Sequence, residues 1–455
     1  MTKKRRESDS LGEVEIATDA LWGPQTQRSL ENFTVGEKRL ALPIIYALAA
    51  IKKYAARVNS SLGLLSTKKS KAIEKACDEI LNEKLDYHFP LKVFQTGSGT
   101  QTNMNLNEVI GHRASKIAKT PIHPNDDVNK SQSSNDVFPS AMHIAIADTA
   151  TKLLLPALKS LIEAFQEKEA KFQSIIKIGR THLMDAVPIR LSQEFSGYRF
   201  QLEESYRSIQ HGISLLMPLA IGGTAVGTGM NCPKGFKEEV IRLLGDHYNL
   251  PFRPGANLFA LLAAHDDCVE FSSTLKRLAC ALFKIAQDIR MMGSGPRAGI
   301  AELILPENEP GSSIMPGKVN PTQCEMVTMV STQVMGLDSA VSFADSQGHF
   351  ELNVFKPLIV SNILEMIDLL SSACTSFEVN CIRGLKANEK QIKKHLEQSL
   401  LLATALVPKL GYDTVAKVVL KAHHEGLTLK QAVLAQKLLS ESEFDRLMKP
   451  EKMVL

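Results

Sequence analysis

Most of this chain carries the apolar spacing of helices. Leu154, Leu158 and Leu161 fall on one face of a helix, because they recur at three- and four-residue intervals. Two later segments, Met326–Val341 and Val354–Cys374, are apolar on almost every face. A helix of that kind has to be buried on all sides. The pattern therefore predicts a helical bundle whose core is shared between subunits.

The same pattern divides the chain into three predicted domains. Residues 1–134 are mixed, with helical spacing over Leu40–Val58 and Lys68–Leu85. Residues 135–388 hold the long apolar helices, and they show no regular alternation of strands and helices. Residues 389–455 are more charged and predict a small helical domain. We expect a mainly α fold.

Composition excludes several classes of function. The net charge of the 455 residues is only +4, and acids are interspersed with the bases, so a nucleic-acid partner is not expected. The basic cluster Lys3–Arg6 is followed by Glu7 and Asp9, which favours a solvated tail over a secretory signal. No segment approaches the roughly 18 uncharged apolar residues of a membrane span. Seven scattered cysteines without a Cys-x-x-Cys motif favour reduced thiols in a cytosol-like compartment. The N-terminus lacks the acid-poor, amphipathic character of a transit peptide, which favours a bacterial-type cytoplasm.

The segment Gly311–Asn320 reads Gly-Ser-Ser-Ile-Met-Pro-Gly-Lys-Val-Asn, with two hydroxyls, a lysine and an amide. Pro321 follows, so Asn320 is predicted to cap a helix whose first residue is proline. Gln323 completes a capping-box pattern. Because a helix N-terminus attracts anions, we expect Lys318 to face a carboxylate beside a reactive hydroxyl.

The glycine-rich loops do not fit a nucleotide site. Five residues separate Gly311 from Gly317, where a phosphate loop has four, and Val319 replaces the hydroxyl that holds magnesium. Gly222–Gly227 has the wrong glycine order for a dinucleotide turn, so a structural turn is expected there. The region Gly293–Gly317 contains five glycines and four prolines, which predicts a mobile active-site loop.

Two earlier segments are rich in neutral hydrogen-bonding groups. The hydroxyls and amides of Thr96–Asn107 could surround a carboxylate or serve only as caps and turns. Ser133, Ser134 and Asn135 come at the start of a predicted helix, which makes a second anion-binding N-terminus. The preceding segment, His123–Asn129, lacks the spacing of metal ligands.

Candidate acid–base groups follow later in the chain. His182 comes after Arg180 and Thr181 and before a segment expected to be helical, and it is either structural or catalytic. Glu325 begins an otherwise apolar helix, so it needs a partner. A pair of His182 with Glu325 would orient the imidazole. His265 is expected to face solvent or a salt bridge.

Together with Leu21–Arg28 and Gly348–Pro357, these motifs resemble the fumarase/aspartase superfamily, most closely the class II fumarases, over essentially the whole chain. The resemblance implies a three-domain fold whose central helical bundle forms the core of a homotetramer, with active sites shared between three subunits. It implies a lyase (hydro-lyase) of the tricarboxylic acid cycle that hydrates fumarate reversibly to L-malate, through abstraction of the C3 proton and an aci-carboxylate. No metal or organic cofactor is implied.

The same resemblance assigns roles to residues. Ser312 is the base, and His182, paired with Glu325, handles the water at C2. The residues expected to bind substrate are Ser98, Gly99, Thr100, Ser133, Ser134, Asn135, Thr181, Ser313, Lys318, Val319 and Asn320. An accessory dicarboxylate site is expected at His123, Pro124, Asn125 and Asp126. Thr120 stands where some bacterial relatives have arginine.

Two alternative functions have to be compared with that of a hydratase. Aspartate ammonia-lyases generally have Ser-Thr-Asn-Asp where this chain has Ser133-Ser134-Asn135-Asp136, so the hydratase is favoured. A non-catalytic descendant of a lyase is disfavoured by the intact Ser312, His182, Lys318 and Glu325.

Overall fold

The computed structural model describes residues 3–454, and helices dominate them. The helices are α1 (Pro24–Asn32), α2 (Leu42–Ser61), α3 (Thr67–Leu81), α4 (Thr100–Ala118), α5 (Ser134–Thr149), α6 (Leu155–Lys171), α7 (Leu191–Leu215), α8 (Phe236–Tyr248), α9 (Leu258–Ala263), α10 (Asp266–Met292), α11 (Thr322–Asp345), α12 (Lys356–Phe377), α13 (Glu389–Gln398), α14 (Val407–Leu410), α15 (Tyr412–Glu425), α16 (Leu429–Ala435) and α17 (Glu441–Leu447). The predicted mainly α fold is confirmed.

The strands are short and pair two by two. They are β1 (Lys4–Asp9), β2 (Gly12–Ala17), β3 (Ile176–Thr181), β4 (Met184–Arg190), β5 (Pro218–Leu219), β6 (Arg253–Pro254), β7 (Leu303–Ile304) and β8 (Lys386–Ala387). The pairs β1–β2, β3–β4 and β7–β8 are antiparallel, and the two-residue pair β5–β6 is parallel. Backbone polar groups are therefore satisfied mainly within helices.

The chain forms two compact units. The first contains the residues up to Pro156, Arg207–Ala279 and Thr332–Ser371, and the second contains Ala157–Tyr206, Cys280–Ser331 and the residues from Ser372 on. Each unit therefore draws on segments that are far apart in sequence. The division into residues 1–134, 135–388 and 389–455 stays a prediction.

The core of the first unit is built around α2. Ile44, Leu48 and Ile51 are inaccessible to solvent and follow a helical spacing, so one apolar face of α2 is covered. The helix packs against α3 and α5. Helices were predicted at both α2 and α3, and their existence is confirmed, with ends that differ by a few residues.

In the second unit, the C-terminal helices share a core with strand β3. Leu406, Val418 and Val433 are buried together with Ile178 of β3. The C-terminal helices thus cover one face of the β3–β4 hairpin. This contact fixes the base of the hairpin whose tip carries His182.

Within a single chain, helix α11 is buried on one face only, so the expectation that it is buried on every side requires other subunits and stays a prediction. Val327, Val334 and Val341 recur every seven residues and form a buried stripe. Met329 and Phe343 lie off that stripe and are 67% and 70% exposed. A single chain covers one face of this helix and leaves other apolar positions in contact with solvent.

The stretch Lys356–Ile382, which begins with α12, is long and apolar enough to cross a membrane by length and composition alone. It contains Glu365 and Asp368, so it is not an uncharged apolar segment of the kind that the sequence analysis excluded. About two thirds of its most apolar window, 67%, is buried inside the protein. Buried core helices have the same composition.

The basic N-terminal segment is not a solvated tail. Lys4–Asp9 forms strand β1, and the Arg5 guanidinium donates hydrogen bonds to the carbonyl oxygens of Ala17, Ala20 and Trp22 at 2.6–2.7 Å. Alternation of charged residues in Arg5–Asp9 is compatible with a two-stranded ribbon exposed on one face. The tertiary acceptors for Arg5 were not predictable from that pattern.

Candidate active site

The first predicted site segment, Thr96–Asn107, contains a sharp turn that leads directly into a helix. Gly99 has a left-handed backbone (φ 76°), and α4 begins at the next residue, Thr100. Thr96–Asn107 is therefore a loop only as far as Gly99, and its remaining polar residues lie on the first turns of α4. A Cβ on Gly99 would lie 2.4 Å from a ring carbon of Phe138. Glycine is required there both by the backbone and by space.

A chain of hydroxyls joins two of the predicted segments. Ser98 Oγ lies 2.7 Å from Thr100 Oγ1, which in turn lies 2.8 Å from Ser134 Oγ. The structure thus brings together Ser98 and Ser134, which are distant in sequence. Hydroxyls can donate or accept, so this row can adapt to a carboxylate.

Ser134 and Asn135 form the first turn of α5, as predicted. Ser133 is the N-cap: its Oγ accepts from the backbone N–H of Asn135, and its own N–H donates to Asp136 Oδ1 at 2.9 Å. This capping box leaves the positive end of the helix dipole beside the hydroxyl row. The arrangement suits a negatively charged ligand.

Asp136 was not assigned a role from the sequence, although its position three residues after Ser133 matches a capping box. Its Oδ2 accepts from the N–H groups of Gly222 and Thr224 at 3.1 and 2.9 Å. Burial raises the pKa of Asp136 to about 6, while the hydrogen bonds from Ser133, Thr224 and Gly222 act to lower it. The glycine-rich turn therefore buttresses α5, in agreement with its predicted structural role.

The predicted accessory residues lie beside this helix. His123 is exposed, and its Nδ1 accepts from the N–H groups of Asn125 and Asp126 at 3.3 and 3.1 Å. Asn125 and Asp126 also line a cavity of about 400 Å³ together with Ser133 and Thr224. The accessory segment and the α5 N-terminus thus share one cavity.

In the second unit, His182 lies at the tip of a β-hairpin, and this corrects the prediction of a helical segment after it. Strand β3 ends at Thr181 and β4 begins at Met184. His182 and Leu183 are the two connecting residues, with φ of 56° and 62°. Two successive left-handed residues are characteristic of a tight hairpin turn. Thr181 and His182 are exposed there.

The loop from Gly311 to Asn320 is closed at its base by two hydrogen bonds. The Gly311 N–H donates to Lys318 O at 2.9 Å, and Asn320 Nδ2 donates to Gly311 O at 2.7 Å. Helix α11 begins at Thr322 and the carbonyl of Pro321 accepts from the N–H of Glu325, so Asn320 lies one residue before the cap position. Gln323 does not complete a capping box, since its Oε1 accepts from Ser376 Oγ instead. The predicted capping pattern is wrong, because the helix begins one residue later than predicted.

Ser312 lies inside this closed loop. Its Oγ accepts from the backbone N–H groups of Ile314 and Met315 at 3.2 and 3.1 Å. Two N–H donors aimed at one hydroxyl oxygen stabilise its anionic form. Ser313, Lys318 and Val319 are exposed along the same loop.

Glu325 and His182 are not recorded as a pair within residues 3–454. The Glu325 carboxylate lies 4.0 Å from Arg290 Nη2, and its side chain is 44% exposed. The predicted pair with His182 is one that a neighbouring subunit would have to complete. It stays a prediction.

His265 does not face solvent or a salt bridge, in contrast to the expectation from its polar neighbours. It is 2% exposed, and neither of its ring nitrogens has a hydrogen-bond partner in the described chain. Burial, followed by the charges of Lys356 and His143, holds its pKa well below the ordinary range. The ring is neutral at physiological pH.

Among residues 3–454 no group of three His, Cys, Asp or Glu side chains could hold a metal ion.

Comparison with known proteins places these segments in context. The Lyase family matches residues 12–336, and the Fumarase C C-terminus family matches residues 402–454. The chain belongs to the class II fumarase family. It is a lyase. All of the predicted site residues lie between residues 98 and 325, so the match to the Lyase family covers every one of them.

Individual relatives of this family match over the full length. The chain is 54% identical to the class II fumarate hydratase of Thermosynechococcus vestitus, with 100% of this chain and 98% of the relative covered. It is 52% identical to the mitochondrial fumarate hydratase of Saccharomyces cerevisiae, over 99% of this chain and 94% of that one. The crystal structure of class II fumarase from Schistosoma mansoni superposes with a TM-score of 0.95 at 44% identity, covering 99% of both chains.

Proposed function

We propose that this chain catalyses the reversible, stereospecific hydration of fumarate to L-malate in the tricarboxylic acid cycle. The observation that carries the proposal is the Ser312 hydroxyl, which accepts two loop N–H groups in the same loop as Lys318 and Asn320. A base that removes a proton from carbon next to a carboxylate needs this combination. The hydroxyl must be activated, and the carboxylate must be held by positive charge and donors.

In the dehydration of malate, Ser312 removes the C3 proton. The electrons move into the adjacent carboxylate, which becomes a doubly charged aci-carboxylate. Lys318 and an amide group of Asn320 stabilise that charge, because electrostatic donors fixed in advance do not have to reorganise. Ser313 and Val319 contribute the neighbouring backbone of the loop.

The second half of the reaction requires a group that protonates the leaving hydroxyl at C2. His182, oriented by Glu325 of a neighbouring subunit, fills this role, with Thr181 beside it. In hydration the same imidazole removes a proton from the attacking water. The row of Ser98, Thr100 and Ser134 with Asn135 binds the other carboxylate, supported by the backbone of Gly99 and the cap Ser133.

The complete active site requires a homotetramer, with segments from three subunits. The support for this is the exposure of apolar residues next to the proposed catalytic groups. Leu183 and Met184 beside His182 are 73% and 70% exposed, and Ile314 beside Ser312 is 83% exposed. Apolar side chains clustered at a site are more stable when a second surface covers them.

Three further features belong to the proposal. His123, Pro124, Asn125 and Asp126 form an accessory site for a dicarboxylate next to the α5 N-terminus. The reaction uses no metal or organic cofactor. The compartment is a bacterial-type cytoplasm.

The direct test is an absorbance assay at the fumarate band with purified protein. L-Malate alone should produce fumarate, and L-aspartate should not. Fumarate formed from aspartate would identify an ammonia-lyase, and no change with either substrate would favour a non-catalytic protein. The same cuvette thus separates all three functions.

A further inference from the structure

A buried carboxylate, Glu302, anchors the hairpin that carries His182. The Glu302 side chain is inaccessible to solvent. Arg180 Nη1 and Nη2 donate to its two oxygens at 3.0 and 2.7 Å, and Lys177 Nζ lies 3.1 Å from Oε2. His395 Nδ1 lies 3.1 Å from Oε1. The side chains of Arg180, Lys177 and His395 therefore all contact the Glu302 carboxylate.

Two side chains of β3 reach Glu302 at a point where the pairing of β3 with β4 is irregular. In a regular strand Lys177 and Arg180 would point to opposite faces, because they are three residues apart. Between the pairs Ile178–Pro188 and Arg180–Asp185, two residues of β4, Ala186 and Val187, lie opposite the single residue Gly179, so β4 carries a β-bulge. A Cβ on the intervening Gly179 would lie 2.9 Å from Val187 O, so the bulge needs a glycine. Beside this bulge, Lys177 and Arg180 both reach Glu302.

The charges in this cluster balance. Lys177 also donates to Glu194 at 2.8 Å, so two cations face two acids. His395 Nε2 lies 2.8 Å from the donor Nε2 of Gln391 and accepts from it, which leaves its proton on Nδ1 to donate to Glu302. Burial raises the pKa of Glu302, but Arg180, Lys177 and His395 together bring it below its ordinary value. The acid is therefore ionised in the folded protein.

Glu302 also ties down two other segments. It lies in the long loop that leads to Ser312, and its backbone carbonyl accepts from the N–H of Asn388 at 2.8 Å. The Asn388 side chain donates to the carbonyl of Ala301 at 2.9 Å. Asn388 is the cap of α13, which carries His395. The hairpin, the loop and the C-terminal helix are thus fixed at one point.

We propose that Glu302 is a positioning residue for His182, acting through its bidentate hydrogen bonds to Arg180. Arg180 is two residues before His182, at the end of β3, so it fixes the direction in which the two-residue tip leaves the strand. This inference rests on the proposed function. It goes beyond it by assigning a catalytic consequence to a side chain that touches no substrate.

The test is a double-mutant cycle between Glu302→Gln and His182→Asn. Glutamine keeps the size of the side chain and removes the charge that holds Arg180. We expect Glu302→Gln to lower kcat about 10–100-fold, the loss typical of a misplaced catalytic group. KM for malate should change less than about twofold, because Glu302→Gln removes no substrate-binding side chain and keeps the backbone hydrogen bond between Glu302 and Asn388. In the His182→Asn background the same change should have almost no further effect, since non-additivity marks residues that act together.

Arg180→Lys provides a second variant, because it keeps the charge and loses the bidentate geometry. It should reproduce the selective loss of kcat even if Glu302→Gln unfolds the protein. Glu443→Gln, which alters an exposed ion pair with Lys409 in the C-terminal helices, should leave both constants unchanged. Melting temperatures of all variants separate unfolding from repositioning.

Two results would overturn the inference. Losses that multiply in the double variant would show that Glu302 acts independently of His182. A rise in KM equal to the fall in kcat would show a general distortion of the site. If the activity of His182→Asn is too low to measure, the separate effects of Glu302→Gln on KM and kcat decide whether the inference holds. An inactive wild-type protein would instead refute the proposed function, so the two failures are distinguishable.

Discussion

At the scale of single residues, Ser312 combines a reactive group with backbone donors. Its oxygen accepts from two N–H groups, which are provided by a turn within the closed loop. Removing the oxygen deletes the proposed base and leaves the two hydrogen bonds that close the loop intact. The variant Ser312→Ala therefore separates chemistry from folding.

We expect Ser312→Ala to lower kcat about 10²–10⁴-fold, the usual contribution of an acid–base group. The assay is fumarate formation from malate, and the oligomeric state is measured by sedimentation. Ser442→Ala, in a C-terminal helix, is the control and should be fully active. Near-normal turnover of Ser312→Ala would remove Ser312 as the base.

Glu7 is a residue whose environment predicts a pH effect on stability. It lies between Arg5 at 2.7 Å and His112 at 3.3 Å, which links β1 to α4. Burial raises the pKa of Glu7, but hydrogen bonds from His112 and Arg5 outweigh it and lower the pKa from 4.5 to about 2. The hydrogen bond to Glu7 raises the pKa of His112 above 6.5, against the effect of burial.

The sign of each shift sets the pH window. A lowered carboxyl pKa gives stability that is present above pH 4.5 and is lost as the pH falls toward 2. A raised imidazole pKa gives stability that is present below pH 6.5 and is lost as the pH rises through the folded value. We expect Glu7→Gln to lower the melting temperature most between these limits and least near pH 2. A deficit that is the same at every pH would contradict this.

At the scale of elements, the start of α4 depends on contact with α5. Gly99 needs a left-handed backbone, and its Cα faces the ring of Phe138. The turn and the helix that carries Ser134 are therefore locked to each other. The hydroxyl row inherits its geometry from this contact.

We expect Gly99→Ala to destabilise the protein more than Gly63→Ala does. Both glycines have similar left-handed angles, with φ of 76° and 74°, but a Cβ on Gly63 would meet nothing within 4 Å. Gly63→Ala should cost about 1–2 kcal/mol from backbone strain alone. Gly99→Ala should add about 1–3 kcal/mol from overpacking and lower activity as well. Urea unfolding measures both, and equal costs would refute the steric argument.

At the scale of the whole molecule, the exposed apolar positions of α11 bear on assembly. Met329 is 67% exposed in the single chain although the helix is apolar. In the proposed tetramer such a side chain is covered by another subunit. An acid introduced there would have to be desolvated on assembly, which is costly.

We expect Met329→Asp to shift the protein from tetramer to smaller species and to abolish activity in parallel. Analytical ultracentrifugation over a range of concentrations measures the assembly, and the malate assay measures activity. Leu11→Asp, in the β1–β2 turn and 78% exposed, is the control and should do neither. A fully active monomer of Met329→Asp would refute the sharing of active sites between subunits.

The sequence by itself determined the helical class, the existence of α2, α3 and α5, and the chemical groups of the site. Apolar spacing and capping residues act over one or two turns, so they can be read locally. Loop composition likewise marked Gly311–Asn320 and the segments at Ser98 and Ser133. The relatives matched over the full chain agree with the resemblance that these motifs carried.

Only the tertiary structure decided how local groups are used. Asn320 closes its loop by donating its amide N–H to the carbonyl of Gly311, and α11 begins only at Thr322. His182 lies at the tip of a hairpin whose strand β3 is held at Glu302 by Lys177 and Arg180. His265 is buried among residues distant in sequence. In each case the deciding partner is remote along the chain, and local pattern carries no information about it.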